Sequence, residues 1–257
     1  VVCEVSSFQL ETIGAFQPRV AVVLNITPDH LDRHGTLDRY VDAKARVFLN
    51  QTESDCAILN ADDEWTRALA SRTRAHVVWF SRARRLEHGV FVERDWIAAR
   101  LNGHVETICP VSEIRLRGQH NVENVLAGTA AALWMGLAPG AIRRAIGRFR
   151  AVPHRIEFVR DLRGVQYYND SKGTNVASTI KALESFGEPI VLIAGGKGKG
   201  QDFGPLAEAA RGRVHHAVVI GEDGPTIASA LAAAAIPVTR SASLAAALDA
   251  ARGVASP

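Results

Sequence analysis

The sequence predicts an α/β protein of two domains whose sheets are mostly parallel. Short apolar runs alternate along most of the chain with longer segments in which apolar residues recur every three or four positions. Alternating strands and helices are typical of parallel sheets covered by helices. The chain has 257 residues, 47% of them hydrophobic, so it is long and apolar enough for two medium-sized domains.

The first half, residues 1–150, alternates predicted strands with amphipathic helices. Residues 88–117 interrupt the pattern with shorter apolar segments around turns such as Asn102-Gly103, and we interpret them as a small antiparallel β appendage. The predicted strands are residues 1–5, the run that begins at Ala21 and ends before Pro28, 55–60 and 76–80. The predicted helices are 8–13, 36–50, 64–71, 125–135 and 139–149.

The second half, residues 151–257, starts after an interpreted domain boundary at 150–153. Two strands joined by a turn come first, and three strand-and-helix units follow, an order that predicts a Rossmann-like α/β domain. The predicted strands are 155–160, 164–169, 189–194, 214–220 and 237–239, and the predicted helices are 175–186, 225–234 and 243–251.

Composition excludes several classes of protein. The formal charge is +3 with both signs mixed along the chain, unlike the basic face of a nucleic-acid binder. No apolar run approaches the roughly 20 residues of a membrane span, so we expect no membrane insertion. The three cysteines are far apart and form no disulfide framework, which favours the reducing cytoplasm. The chain begins inside an apolar run without Met, and we therefore expect further sequence upstream.

A polar cluster follows the strand that begins at Ala21. Ligands bind at the carboxyl ends of strands in open parallel sheets, and carboxylates and imidazoles there suit a hard cation or a phosphate-bound metal. The cluster equally fits an ordinary loop with surface acids and a capping Asp. Glu4 is a charge near the end of an apolar run, which is costly unless it is paired or metal-bound. The cluster comprises Asn25, Thr27, Asp29, His30, Asp32 and His34.

Three further features each have a structural and a functional interpretation. Lys44 falls on the apolar face of its helix, so it either extends its amine to solvent or points into a site, with or without chemical modification. Asn121 and Asn124 share one face at a helix start and either cap it or bind a nucleotide. Loops 169–175 and 195–200 are rich in Lys and Gly and are either simple turns or phosphate sites, although neither matches a Walker A or GxGxxG sequence.

Taken together, these segments resemble the Mur ligase family of bacterial peptidoglycan synthesis over essentially the whole chain. The SSFQLE and NDSKGTN forms favour the members that add D-glutamate, because their siblings carry a histidine-bearing DYAHxP-like sequence in the second position. The segments that carry the resemblance are, in order, EVSSFQLE, NITPDHLDRH, AKARVF, NADD, GQHNVEN, PHRIEFV, YNDSKGTNVAST and GGKGKGQDF.

The resemblance implies a P-loop-type central domain in residues 1–150, followed by a C-terminal ligase domain. The implied reaction is ATP-dependent amide-bond formation through an acyl phosphate, with UDP-N-acetylmuramoyl-L-alanine and D-glutamate as substrates. ATP and Mg²⁺ at two sites are the implied cofactors, and we expect a cytoplasmic monomer. The alternatives are another Mur-type or folylpolyglutamate-type ligase, or a non-catalytic nucleotide-binding derivative.

The resemblance also implies roles for particular residues. Those expected at the metal ions are Glu4, His30 and a carbamylated Lys44. Those expected at the nucleotide are Asn121, Asn124, Arg155, Asp170 and Thr174. Those expected at the substrates are Ser6, Lys172, Thr174 and Lys199, with Lys197 as a competitor for the last role. Lys44, His154 and Lys172 are the expected catalytic residues.

Some parts of the family pattern do not occur in these residues. The GTNGK[ST]-type phosphate loop and the uridine-nucleotide domain are expected ahead of Glu4, and a serine-rich loop that helps to bind D-glutamate is expected at the other end. Because the phosphate loop holds ATP in this family, we expect the 257 residues alone to be inactive.

Overall fold

A computed structural model describes residues 1–101, 103–150, 152–197 and 200–256. The chain divides into two compact units, Val1–Arg150 and Ala151–Pro257. Each unit is built on a parallel sheet flanked by helices, so the predicted α/β class is confirmed. In the described ranges no helix combines the length and the apolarity needed to cross a bilayer.

The described part of the first unit contains one six-stranded sheet whose strands lie side by side in chain order. The first four strands are parallel, and the last two are antiparallel to their neighbours. The strands are β1 (Val20–Val23), β2 (Cys56–Asn60), β3 (His76–Ser81), β4 (Gly89–Glu93), β5 (Trp96–Arg100) and β6 (Glu106–Pro110).

Side-chain capping fixes where several helices of this unit begin. Ser6 and Gln9 form a reciprocal capping box at the start of α1, and the hydroxyl of Thr36 accepts a hydrogen bond from the first turn of α3. The helices are α1 (Ser7–Glu11), α2 (Leu31–His34), α3 (Leu37–Ala45), α4 (Glu64–Ala68), α5 (Gln119–Trp134) and α6 (Pro139–Arg148).

The two faces of this sheet support separate cores. Ile58 of β2 packs in one cluster with Leu126 of α5, whereas its neighbour Leu59 packs in another with Val41 of α3. Since alternate residues of a strand point to opposite faces, β2 is buried on both sides. Helix α3 therefore packs on the face of the sheet opposite to α5.

One prediction for this unit needs correction. Residues 1–5 are not a strand, and Val1 and Val2 are fully exposed, because no strand among the described residues pairs with them. The predicted antiparallel strands are present, and they join the edge of the main sheet through β4, which pairs in parallel with β3. Parallel pairs usually need crossovers of about a dozen residues, so the short connection at 82–88 gave no signal of this pairing.

The second unit has a three-stranded parallel sheet in the order β11-β10-β9 and a two-stranded antiparallel ribbon, β7-β8, within its described residues. Helices α8 and α9 pack on one face around Leu206 and Leu231, and α10 covers the other at Ala247. The strands are β7 (Glu157–Leu162), β8 (Val165–Asn169), β9 (Ile190–Gly195), β10 (Val214–Ile220) and β11 (Val238–Arg240). The helices are α7 (Val176–Leu183), α8 (Gly204–Ala210), α9 (Gly224–Ala233) and α10 (Leu244–Val254).

Candidate active site

Asn60 fixes the backbone at the carboxyl end of β1. It is the last residue of β2, only 3% exposed, and its amide donates to the carbonyl oxygen of Leu24 at 2.9 Å. Its Oδ1 accepts from the backbone N–H of Asp62 at 2.8 Å. The first residue of the NADD segment therefore aligns the ends of two neighbouring strands, where the candidate site begins.

Replacing Asn60 with Ala is expected to destabilise the first unit by about 1–3 kcal/mol, because the carbonyl of Leu24 loses its buried donor. Urea unfolding followed by circular dichroism measures the change. Asn50→Ala is the matched control, since its amide also donates to backbone carbonyls, those of Gly14 and Phe16, but on the surface. A loss no larger for Asn60→Ala than for the control would contradict this role.

The loop after β1 brings Asp29 and His30 together. His30 has a left-handed backbone, with φ 53°, and its N–H donates to Asp29 Oδ1 at 2.8 Å. Its Nε2 lies 3.7 Å from Asp29 Oδ2. The ring edge of His30 also packs on Phe8, with 4.7 Å between centroids. The imidazole predicted to bind a metal ion is thus held between an aromatic ring and a carboxylate.

Lys44 projects from α3 into the same region. Its side chain is half-buried, and Nζ lies 5.0 Å from the ring centroid of Tyr40. Burial lowers the pKa of the Lys44 amine, and the nearby carboxylates of Asp29 and Glu4 oppose that shift without cancelling it. Burial, and then the charge of Asp29, raises the pKa of Tyr40 to about 12. Asp29, which sequence analysis left unassigned, is therefore near both side chains.

The donor set suits a hard cation only when Lys44 is modified. The described residues contain no group of three or more His, Cys, Asp and Glu side chains arranged around one point. An unmodified lysine adds a positive charge beside Glu4 and Asp29, whereas a carbamate would add two oxygen ligands to their carboxylates. Oxygen-rich anionic sites are those that Mg²⁺ prefers. A carbamylated Lys44 beside the carboxylates of Glu4 and Asp29 would meet that preference.

The remaining candidates of the first unit have local hydrogen bonds. The Ser6 hydroxyl serves the α1 capping box with Gln9. Helix α5 begins at Gln119, earlier than predicted, so Asn121 and Asn124 lie within its first two turns. Asn121 Nδ2 donates to the Arg117 carbonyl at 2.6 Å, and Asn124 Nδ2 donates to Asn121 Oδ1 at 3.2 Å. Gly118 takes the N-cap position, so neither asparagine is the capping residue.

In the second unit, two loops distant in sequence meet. His154 Nδ1 lies 2.9 Å from Asn169 Nδ2, and its carbonyl accepts the N–H of Lys172 at 3.0 Å. Asp170 Oδ1 accepts the N–H of Ile156 at 2.9 Å. The PHRIEFV and NDSKGTN segments therefore form one surface. Its exposed candidate side chains are those of His154, Arg155, Lys172 and Thr174.

The glycine-rich loop after β9 is shaped by close backbone packing. A Cβ on Gly195, whose φ is 152°, would overlap the carbonyl oxygen of Ile220 at the end of β10. Beyond it, Lys197 Nζ lies 3.6 Å from Glu222 on the surface. Gln201 Oε1 accepts the N–H of Val176 at the start of α7. Lys199, the predicted contact to the acceptor amino acid, lies outside the described residues.

His34, named from the sequence only as a member of the polar cluster, makes contacts that were not predicted. It is 5% exposed, lies within hydrogen-bonding distance of Ser7 and Glu11, and contacts the rings of Phe8 and Tyr40. The sequence held one indication of these contacts. SSFQLE and DHLDRH each place polar residues in a short helical segment, and such a segment buries one of its faces. Polar groups on a buried face need partners.

Comparison with known proteins gives consistent family matches. Residues 1–132 match the Mur ligase middle domain, and residues 154–257 match the Mur ligase glutamate ligase domain. A UDP-N-acetylmuramoylalanine--D-glutamate ligase of Pelotomaculum thermopropionicum is 52% identical over 230 residues, which cover 90% of this chain and 50% of that protein. Its namesake in Acidobacterium capsulatum is 48% identical over 258 residues, covering 100% of this chain and 56% of that protein. The chain thus spans about half the length of these curated relatives.

Solved structures agree at the level of the fold. MurF from Acinetobacter baumannii superposes with a TM-score of 0.72 at 20% identity, covering 93% of this chain and 53% of that one. A pseudomurein peptide ligase type C from Methanothermus fervidus gives 0.69 at 18% identity, covering 92% and 58%. With both domain families matched in order and the fold shared, this chain belongs to the Mur ligase family.

Proposed function

We propose that this chain supplies the central ATP-binding domain, residues 1–150, and the C-terminal domain, residues 151–257, of a ligase that joins D-glutamate to UDP-N-acetylmuramoyl-L-alanine. The names of relatives about 50% identical to this chain support the choice of substrates. The observation that carries the ligase chemistry is the environment of Lys44, a half-buried amine beside the carboxylates of Glu4 and Asp29. We also propose that the protein is a cytoplasmic monomer that acts on small molecules alone.

Lys44 is suited to become a carbamate. Only the neutral amine attacks CO₂, and burial favours that form by lowering the pKa of Lys44. Attack forms an N–C bond and releases one proton, which leaves a carboxylate on the former cation. Three anionic groups would then lie together, and their repulsion favours a bound cation. Two Mg²⁺ ions held with the help of Glu4, His30 and the carbamate would supply charge neutralisation for phosphoryl transfer.

The other candidates have complementary tasks in this proposal. The amides of Asn121 and Asn124 bind the nucleotide, while Ser6 lies close to the substrate. In the second unit, His154, Arg155 and Lys172 supply positive or hydrogen-bonding groups to phosphate and carboxylate oxygens. Asp170 and Thr174 contact ATP and substrate, and Lys199 contacts the acceptor amino acid. The exposure of His154, Arg155, Lys172 and Thr174 supports these roles, because their side chains are accessible to ligands.

The test measures which amino acid drives ATP hydrolysis. It uses the product of the complete reading frame that contains this sequence, since the relatives are about twice as long as the chain. With ATP, Mg²⁺ and UDP-N-acetylmuramoyl-L-alanine present, phosphate release is expected to depend on D-glutamate and to be negligible with L-glutamate or a diamino acid. A strong preference for another amino acid, or for a folate substrate, would replace this proposal with one of the other ligases. No amino-acid-dependent release at all would favour a non-catalytic derivative.

A further inference from the structure

His34 contacts two polar side chains of a single helix, one through a hydrogen bond and one through a close approach to a carboxylate. Its Nε2 lies 3.0 Å from Ser7 Oγ, within a hydrogen bond, and its Nδ1 lies 3.3 Å from Glu11 Oε1. The tautomer protonated at Nδ1 points its N–H side towards the carboxylate and lets Nε2 accept the Ser7 hydroxyl proton, so each ring nitrogen has a polar neighbour. Arg33 fixes Glu11 in turn, through Nη2 at 2.6 Å. The ring plane of His34 is therefore determined by α1.

Two aromatic rings contact His34. Phe8 stacks on it with 5.7 Å between centroids and an angle of 8°, and Tyr40 lies 5.3 Å away. Each of these rings contacts one residue of the proposed metal site. Phe8 contacts the ring of His30, and Tyr40 contacts Nζ of Lys44. Contacts thus run without a gap from His30 through Phe8, His34 and Tyr40 to Lys44.

Hydrophobic packing alone does not require histidine in this position. A leucine or phenylalanine would fill the space without needing buried partners, whereas an imidazole is costly there unless both nitrogens are satisfied. The hydrogen bond to Ser7 and the contact with Glu11 add a fixed ring orientation, which an apolar side chain lacks. That orientation sets the positions of Phe8 and Tyr40, and through them the positions of His30 and Lys44. Errors of about 1 Å in such positions slow catalysis by roughly 100-fold.

We propose that His34, locked by Ser7 and Glu11, is a positioning residue that aligns His30 and the modified Lys44 through the rings of Phe8 and Tyr40. The inference rests on the proposed function of His30 and Lys44 in metal binding. It assigns Ser7, Glu11 and His34 a role in the reaction although none of them contacts the substrates in this proposal. Removing the hydrogen bond to Ser7 or the contact with Glu11 leaves the metal ligands present but less well aligned.

Ser7→Ala is the mildest test, because it removes one hydroxyl from a small buried side chain. In the product of the complete reading frame, kcat is expected to fall by about 10-fold and the Mg²⁺ concentration for half-maximal rate to rise, while KM for D-glutamate stays unchanged. Ser7→Thr, which keeps the hydroxyl, is expected to restore most of kcat. His34→Phe, which keeps the stacked ring but loses the contacts with Ser7 and Glu11, is expected to behave like Ser7→Ala or worse.

Ser81→Ala is the matched control. Ser81 is also buried, and its hydroxyl donates to Asp62 at 2.7 Å, away from Phe8, His34 and Tyr40. Loss of the Ser81 hydroxyl is therefore expected to lower stability without changing the Mg²⁺ response. The positioning role is overturned if Ser7→Ala and His34→Phe keep normal kcat and Mg²⁺ response per folded molecule while Lys44→Ala is inactive. An active Lys44→Ala variant would instead contradict the proposed function, on which this inference rests.

Discussion

Replacing Lys44 with Ala is expected to lower D-glutamate-dependent phosphate release by about 1,000-fold or more, the scale on which loss of one preorganised charge contact slows an enzyme. The substitution removes the amine that would carry the carbamate, so the cation site keeps Glu4, Asp29 and His30 but loses one of its three anionic groups. Because the missing group is a carboxylate, a short carboxylic acid such as acetate is expected to restore part of the rate. The measurement is phosphate release at saturating ATP and Mg²⁺.

Lys181→Ala is the control for the loss of a lysine. Lys181 is an exposed residue of α7 that pairs with Glu184 at 2.9 Å, and its replacement is expected to leave the rate unchanged. A direct readout uses ¹³C-labelled bicarbonate, which is expected to give a carbamate resonance that Lys44→Arg abolishes. Full activity of Lys44→Ala would remove the carbamate hypothesis, and so would a resonance that persists in Lys44→Arg.

Replacing Gly195 with Ala is expected to destabilise the second unit by at least about 3 kcal/mol. The backbone there has φ 152°, which favours glycine, and an added Cβ would overlap the carbonyl oxygen of Ile220. Relief requires β9 and β10 to separate at their carboxyl ends. Differential scanning calorimetry or urea unfolding of the purified protein measures the loss.

Gly253→Ala provides a matched comparison in the same unit. Gly253 lies in α10 with an ordinary helical backbone. Apart from its chain neighbours and the adjacent backbone of its own helix, no described atom lies within 4 Å of its added methyl group. Alanine is favoured over glycine in helices, so this variant is expected to gain up to about 1 kcal/mol. Equal effects for the two variants would show that the close approach at Gly195 is not what constrains the loop.

Strands and helices were predictable wherever a local pattern determined them. The apolar run before Asn60 and the three-to-four-residue spacing around Tyr40 and Val41 were sufficient, because both are consequences of burial on one or two faces. Pairing between segments was harder to predict. The parallel partnership of β3 with β4 depends on a short connection that sequence rules disfavour, and the exposure of residues 1–5 depends on which strands are available to pair with them.

Residues of the candidate site also differed in how far the sequence predicted them. Lys44 was noticeable from sequence because a lysine on an apolar helix face needs an explanation. Its neighbour Asp29 ranked no higher than other acids of the loop, since its proximity to Tyr40 and Lys44 depends on the folded chain. His34 was named in the polar cluster, but its contacts were not predicted, because Ser7 and Glu11 are more than twenty positions away. Such partnerships exist only once the helices have packed.

The order of strands in the two parallel sheets has a consequence for how the protein forms. In the described part of each sheet every strand lies beside its neighbour in the chain, from β1 to β6 and from β9 to β11. No strand has to be inserted between two that have already paired, so each sheet can extend at one edge as synthesis proceeds. Short loops close before long ones, and sheets of this kind keep contacts local in sequence. We therefore expect the first unit to acquire protease resistance on the ribosome as soon as α6 has emerged.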